Sequence, residues 1–204
     1  MTGPRLSAEH RRDAGVFLAR VVRLDPAGLV RVRPVGAEHL TLWARLPFDV
    51  LAGRTVAGSW PDDVTVSAAD LLSVVSRTEA VRIPRRRDAE WRGSLPPERG
   101  WQHLDDIPPD VVRSLIDVGE QAFRAADAPA AQAAGEALLD HETLRVHGDG
   151  TAEVAVPFRL LLALARLAFL GERPVTVSVL GPWLRLSAPY GVVYRRVGAS
   201  LLVG

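Results

Sequence analysis

The residues best suited to chemistry lie between Arg77 and Trp101. Arg77, Arg82, Arg85, Arg86, Arg87, Arg92 and Arg99 stand there against Glu79, Asp88, Glu90 and Glu98, with Trp91 and Trp101 interleaved. Guanidinium groups hold phosphates and indoles stack on bases. Arg82, Arg85, Arg86, Arg87, Trp91, Arg92, Arg99 and Trp101 therefore form a candidate ligand or nucleic-acid surface. The competing reading is a solvated arginine-rich loop whose two tryptophans tack it to a core.

Other constellations fall short of a site. The five histidines, His10, His39, His103, His141 and His147, include no pair four residues apart on a helix and no third ligand at a metal-site distance. Gly148-Asp149-Gly150-Thr151 starts like a dinucleotide fingerprint, but it lacks the third glycine and leads into a strand rather than a helix. It reads as a hairpin turn. No serine stands in a Gly-x-Ser-x-Gly frame. Asp62-Asp63 and Asp105-Asp106 are adjacent pairs whose side chains point apart, which suits turns and caps better than acid–base work. No catalytic, cofactor-binding or metal-ligating set is assigned.

Absences narrow the chemistry further. The chain has no Cys, Lys or Asn, and all 25 basic residues are Arg. Disulfides, thiolate metal sites, cysteine nucleophiles, Schiff-base lysines and the standard P-loop are excluded. Arginine for lysine, with abundant Ala, Val, Leu and Pro, is the habit of a high-GC genome. Over 204 residues the net charge is +1, with 48% hydrophobic and 24% charged residues. That composition can bury a real core and gives no strong overall field toward nucleic acid or an anionic membrane. Met1 to Asp13 lacks the apolar centre of a secretory signal. The longest apolar run, Leu160 to Leu170, is about half a membrane span and is broken by Arg166. A cytoplasmic protein is expected.

The elements that must position these residues read as α+β. Val16 to Leu24 and Leu29 to Arg33 form a hairpin about Asp25-Pro26-Ala27-Gly28, and Leu40 to Arg45 is a third strand. Asp49 to Ala57 suits a short helix, Val64 to Ser67 a strand, and Leu71 to Val75 a helical turn capped from Ser67. At the other end Thr143 to His147 and Ala152 to Val156 are strands. Pro157-Phe158 opens a helix through Leu170 that Gly171 ends, and Val175 to Ser178, Trp183 to Ser187 and Val192 to Arg195 are strands.

The two ends share a pattern, with Pro47-Phe48 matching Pro157-Phe158 and Val64 to Ser67 matching Val175 to Ser178. Two similar antiparallel strand-strand-helix-strand units are expected, related by a pseudo-twofold axis or joined in one antiparallel sheet. The expected division is residues 1–76, an insert at 77–140, and 141–204. The insert starts as a loop. It continues as an αα-hairpin, with Val111, Val112, Leu115, Ile116, Val118, Ala122 and Phe123 on one helix face and a second helix from Ala128 to Leu139.

Three stretches resemble those of uncharacterised proteins of high-GC bacteria: Leu95-Pro96-Pro97 with Gly100-Trp101, the Pro-Phe helix with Phe169-Leu170-Gly171, and Trp183 to Leu186 ahead of Tyr190-Gly191. The resemblance implies no activity. The apolar end Ala199 to Val203 and the nearly all-apolar helix from Phe158 call for a covering surface, from this chain or a second copy. The leading expectation is a non-enzymatic interaction or regulatory protein, homodimeric. Nucleic-acid or phosphate binding through 77–101 and an enzyme site assembled in space are the alternatives.

Overall fold

A computed structural model describes residues 5–77, 82–125, 131–148 and 153–196. The chain divides into two compact units, Met1–Pro47 with Leu51–Leu95, and Phe48–Val50 with Pro96–Gly204. The boundary near residue 95 runs through the arginine- and tryptophan-rich segment.

The first unit opens with helix α1, Ala8–Leu24, where a strand was expected from Val16. Ser7 caps it by accepting the His10 amide at 3.4 Å, and Ala14, Phe17, Leu18 and Val21 are buried. Those positions follow i, i+3, i+4, i+7, the period of one helix face. The β-branched Val16, Val21 and Val22 favour a strand only weakly, and burial of that face overrides them. Asp25 ends the helix in the expected turn: its side chain accepts from Ala27 N–H at 3.0 Å and its carbonyl from Gly28 N–H at 3.0 Å.

Strands β1 (Leu29–Val35), β2 (His39–Leu46), β3 (Val50–Ala57) and β4 (Val64–Ser67) follow, then helix α2 (Ala68–Val75). The sheet order is β4-β1-β2-β3. β1 pairs antiparallel with both β2 and β4, placing Arg31 between Trp43 and Thr65. The helix expected at Asp49 to Ala57 is thus a strand. Asp49 takes the left-handed conformation (φ 57°), which reverses the chain after Pro47-Phe48. Aspartate tolerates that region better than most residues. The hydroxyls of Thr41 and Thr55 then meet at 2.9 Å. Ser67 caps α2 as expected, accepting the Asp70 amide.

The second unit contains β5 (Gln102–Ile107), α3 (Pro109–Ala125), α4 (Ala131–Asp140), β6 (Glu142–Val146), β7 (Val154–Pro157) and α5 (Phe158–Arg166). It ends with β8 (Val175–Leu180), β9 (Trp183–Ala188) and β10 (Gly191–Arg196). One sheet has the order β10-β9-β8-β5, and β6 and β7 pair separately. β5 was not expected, since its residues were read as loop and helix entry. On α3, Val112 and Ile116 are buried, but Val111 and Val118 of the expected apolar face are exposed.

Helix α5 stops three to four residues before the expected Leu170, because Ala168, not Gly171, takes the left-handed position (φ 48°), and Phe169 N–H reaches back to Leu164 O at 2.9 Å. The cover for α5 comes from within its unit: Gly119 of α3 lies against Phe158, and the rings of Phe123 and Phe158 are 5.9 Å apart. Arg159 of α5, 3% exposed, donates to Phe48 O at 2.7 Å and pairs with Asp140 at 2.7 Å; Asp140 also pairs with Arg195 at 2.9 Å. These bonds tie Phe48 to the second unit. The expected turn at Asp149-Gly150, the start of the β7 strand at Ala152, the helix start at Ala128 and Pro129, and the apolar end Ala199 to Val203 lie outside the described residues.

The architecture is a mixed α+β fold with antiparallel sheets. The proposed register between the ends does not hold, since Pro47-Phe48 leads into a strand and Pro157-Phe158 into a helix. A different likeness is present. α1 leads into the meander β1-β2-β3 with β4 beside β1, and α5 leads into β8-β9-β10 with β5 beside β8. The counterpart of β8 is β1, not β4.

Candidate nucleic-acid interface

The arginine- and tryptophan-rich segment lies along the sheets as a strap. In the first unit Arg87 N–H donates to Thr65 O at 2.7 Å, and Thr65 N–H donates to the Asp88 carboxylate at 2.6 Å. These bonds occupy the free edge of β4. Arg86 pairs with Asp88 at 2.9 Å and Asp62 at 3.3 Å, and Arg87 pairs with Glu90. Arg45 donates to Arg92 O at 2.8 Å, and Trp91 is half-buried. In the second unit the Arg185 guanidinium lies 4.3 Å from the Trp101 ring, and Trp101 also meets Tyr194 at 5.6 Å. The Trp101 indole donates to Pro97 O.

Of the eight predicted site residues, then, Arg86 and Arg87 are engaged by carboxylates and both tryptophans pack against the protein. The side chains of Arg82, Arg85, Arg92 and Arg99 are exposed and make no ion pair among the described residues. The units divide the set, with 82–92 in the first and 99 and 101 in the second.

Asp88 fixes the strap. The Thr65 backbone N–H, and after it Arg86, holds its carboxyl below the usual carboxylate range. A depressed folded-state pKa means that the stabilisation is complete above the unfolded value, near 3.8, and is lost as pH falls through the folded value. Asp88→Asn is expected to remove that acid-limb dependence and to speed Thr65 amide exchange, at a cost of about 0.5–1.5 kcal/mol. Urea unfolding at several pH values with hydrogen exchange checks this; an unchanged acid limb would count against the assignment.

A basic stripe that sequence reasoning missed lies on α1. Arg12, Val16, Ala19 and Arg23 are exposed on one face with Arg20 half-buried beside them. Arg12, Arg20 and Arg23 have no carboxylate partner among the described residues. Asp13 of the same helix is taken up by Arg54 at 2.6 Å, and Arg11 donates to Arg77 O at 3.0 Å. At about 1.5 Å per residue, the eleven steps from Arg12 to Arg23 span about 16 Å. The signal was the spacing of 12, 20 and 23, which aligns only at helical period.

Elsewhere among the described residues the polar groups do not form a catalytic set. His103 lies 3.3 Å from Asp106, and the Thr176 hydroxyl donates to the same carboxylate at 2.6 Å. The carboxylate stands between imidazole and hydroxyl, so the histidine has no bond through which to activate that oxygen. Burial pushes the Tyr194 phenol up, tempered by Arg185, and draws the Arg185 guanidinium down. Among the described residues no three His, Asp or Glu side chains could hold a metal ion, and no helix is long and apolar enough to cross a membrane.

The fold is that of DNA polymerase sliding clamps. The chain is similar to the β subunit of DNA polymerase III from Caulobacter crescentus, with TM-score 0.58 and 16% identity over 95% of this chain and 66% of that one. A sliding clamp from Bartonella birtlesii bound to griselimycin gives 0.58 and 13% over 93% and 63%, and the β subunit from Thermotoga maritima 0.57 and 14% over 94% and 63%. The chain thus spans just under two thirds of these clamps' length. By sequence it belongs to the family described as a domain of unknown function, DUF8185, whose model matches residues 96–200; a second domain of unknown function, DUF8010, matches 5–93. The boundary between the two matches falls where the two structural units part. No curated protein matches the chain.

The family bears out the resemblance to uncharacterised proteins. The clamp fold overturns the leading expectation, a non-enzymatic interaction or regulatory protein.

Proposed function

We propose that the chain is a clamp-type, DNA-associating protein of the cytoplasm that meets the phosphate backbone through the exposed face of α1. The observation that carries this reading is the unpaired stripe of Arg12, Arg20 and Arg23 on a fold shared with DNA polymerase sliding clamps. A net charge of +1 supplies no general attraction, so binding must be local to that stripe. Its exposed residues are Arg12, Val16, Ala19 and Arg23, with Glu9 exposed at the N-terminal end of the same face. Contacts from these arginines to phosphate carry no sequence information, so binding through the backbone alone is independent of sequence.

Fluorescence anisotropy with two unrelated 30-base-pair duplexes tests this. Equal affinity for both is expected at low salt, with loss of binding in the Arg12→Ala/Arg20→Ala/Arg23→Ala variant. Unaltered binding by that variant would refute the assignment to α1.

A further inference from the structure

β4 and β5 stand at the outer ends of their strand orders, and among the described residues the free edge of β4 is covered while that of β5 is not. On β4 the strap takes both backbone groups of Thr65. On β5, among the described residues, the only strand partner is β8, and Asp105 caps the Asp106 amide at 2.8 Å. Gln102, His103, Asp105 and Asp106 are exposed there. Beside Asp106 opens a cavity of about 370 Å³, lined by Asp106, Arg173, Pro174, Thr176, Ser187 and Pro189 among others. Thr176 faces Asp106 on one side and Ser187 on the other, so carboxylate and two hydroxyls form one row across three strands.

We propose that the free edge of β5 takes an extended segment of a partner protein as an added strand, with one lysine or arginine of that segment in the cavity against Asp106. Main-chain bonds to an open edge supply affinity, and a pocket for alternate side chains supplies choice. Charge selects the occupant. Asp105 and Asp106 favour a cation and repel an acidic strand, while the hydroxyls of Thr176 and Ser187 accept further N–H bonds. Arg173 in the same lining limits the occupant to a single cation beside Asp106. The Thr176 hydroxyl, with His103 as a lesser cause, holds the Asp106 carboxyl below the usual range, so it stays charged near neutral pH. The bulge between His103 and Asp105 and the charges of this edge discourage unselective pairing.

The probe is an acetylated, amidated eight-residue peptide alternating valine and arginine, with a control carrying glutamate for arginine. With the full chain, the basic peptide is expected to bind and to slow amide exchange at Gln102–Ile107, and the acidic one to do neither. Asp106→Asn, which keeps an acceptor for Thr176, is expected to weaken binding about tenfold or more. Equal binding of both peptides, protection elsewhere than β5, or an unchanged Asp106→Asn affinity would overturn the proposal. The exchange measurement uses the unaltered chain and decides the matter even if the variant fails to fold. Neither outcome depends on α1 or on DNA.

Discussion

Asp140→Ala is expected to lower the unfolding free energy by about 2–4 kcal/mol, more than Arg159→Leu does. Arg159 is nearly enclosed and Asp140 about half-exposed, at side-chain exposures of 4% and 51%. Removing the acid leaves the enclosed guanidinium with Phe48 O at 2.7 Å and Glu136 at 3.6 Å, the latter screened by water at 72% exposure. An uncompensated buried charge is the costly outcome; the exposure of Asp140 places the figure below the 3–5 kcal/mol of a fully buried pair. Arg159→Leu instead removes the charge, leaves Asp140 with Arg195, and orphans one carbonyl, at about 1–3 kcal/mol. The double variant should lose less than the sum, because the enclosed Arg159 charge is then gone and only Arg195, 21% exposed and still 3.8 Å from Asp49, has lost the acid. Urea titration of the four proteins measures this, and strict additivity would mean the contact contributes little.

Gly119 carries the second large effect. A Cβ there would overlap three ring atoms of Phe158, which is 2% exposed and also meets Phe123. Alanine gains about 1 kcal/mol of helix propensity over glycine, yet overpacking typically costs 1–3 kcal/mol and a buried ring has little room to yield. Gly119→Ala is therefore expected to destabilise despite the gain in propensity, and the larger Gly119→Val to cost more. In a Phe158→Leu background the penalty of Gly119→Ala should shrink by at least about 0.5 kcal/mol. Thermal unfolding reads the series. A stabilising Gly119→Ala would show that α3 and α5 are not held this closely.

Much of the strand content was legible, because β1, β2, β8 and β10 carry valine and leucine at period two or in bounded runs. What failed did so for identifiable reasons. α1 carries three valines between 16 and 22 and reads locally as a strand; only the burial of Ala14, Phe17, Leu18 and Val21 settles its period. β3 depended on a left-handed Asp49, a conformation that aspartate tolerates but does not require. β5, Gln-His-Leu-Asp-Asp-Ile, is polar on most positions and becomes a strand through pairing with β8.

The candidate site depends on the same elements. Under a strand reading Arg20 and Arg23 fall on opposite faces, so the stripe on α1 could not be seen until the helix was. The 77–101 segment was chosen for composition alone. Its carboxylates, Asp88 and Glu90 together with the distant Asp62, are what engage Arg86 and Arg87.

The salt dependence of duplex binding tests the central claim most directly. If Arg12, Arg20 and Arg23 each displace a counterion from a phosphate, a plot of log affinity against log salt has a slope of about −3. The triple alanine variant should lose most of that slope along with its affinity. A slope near zero, or one that the three substitutions leave unchanged, would contradict the account.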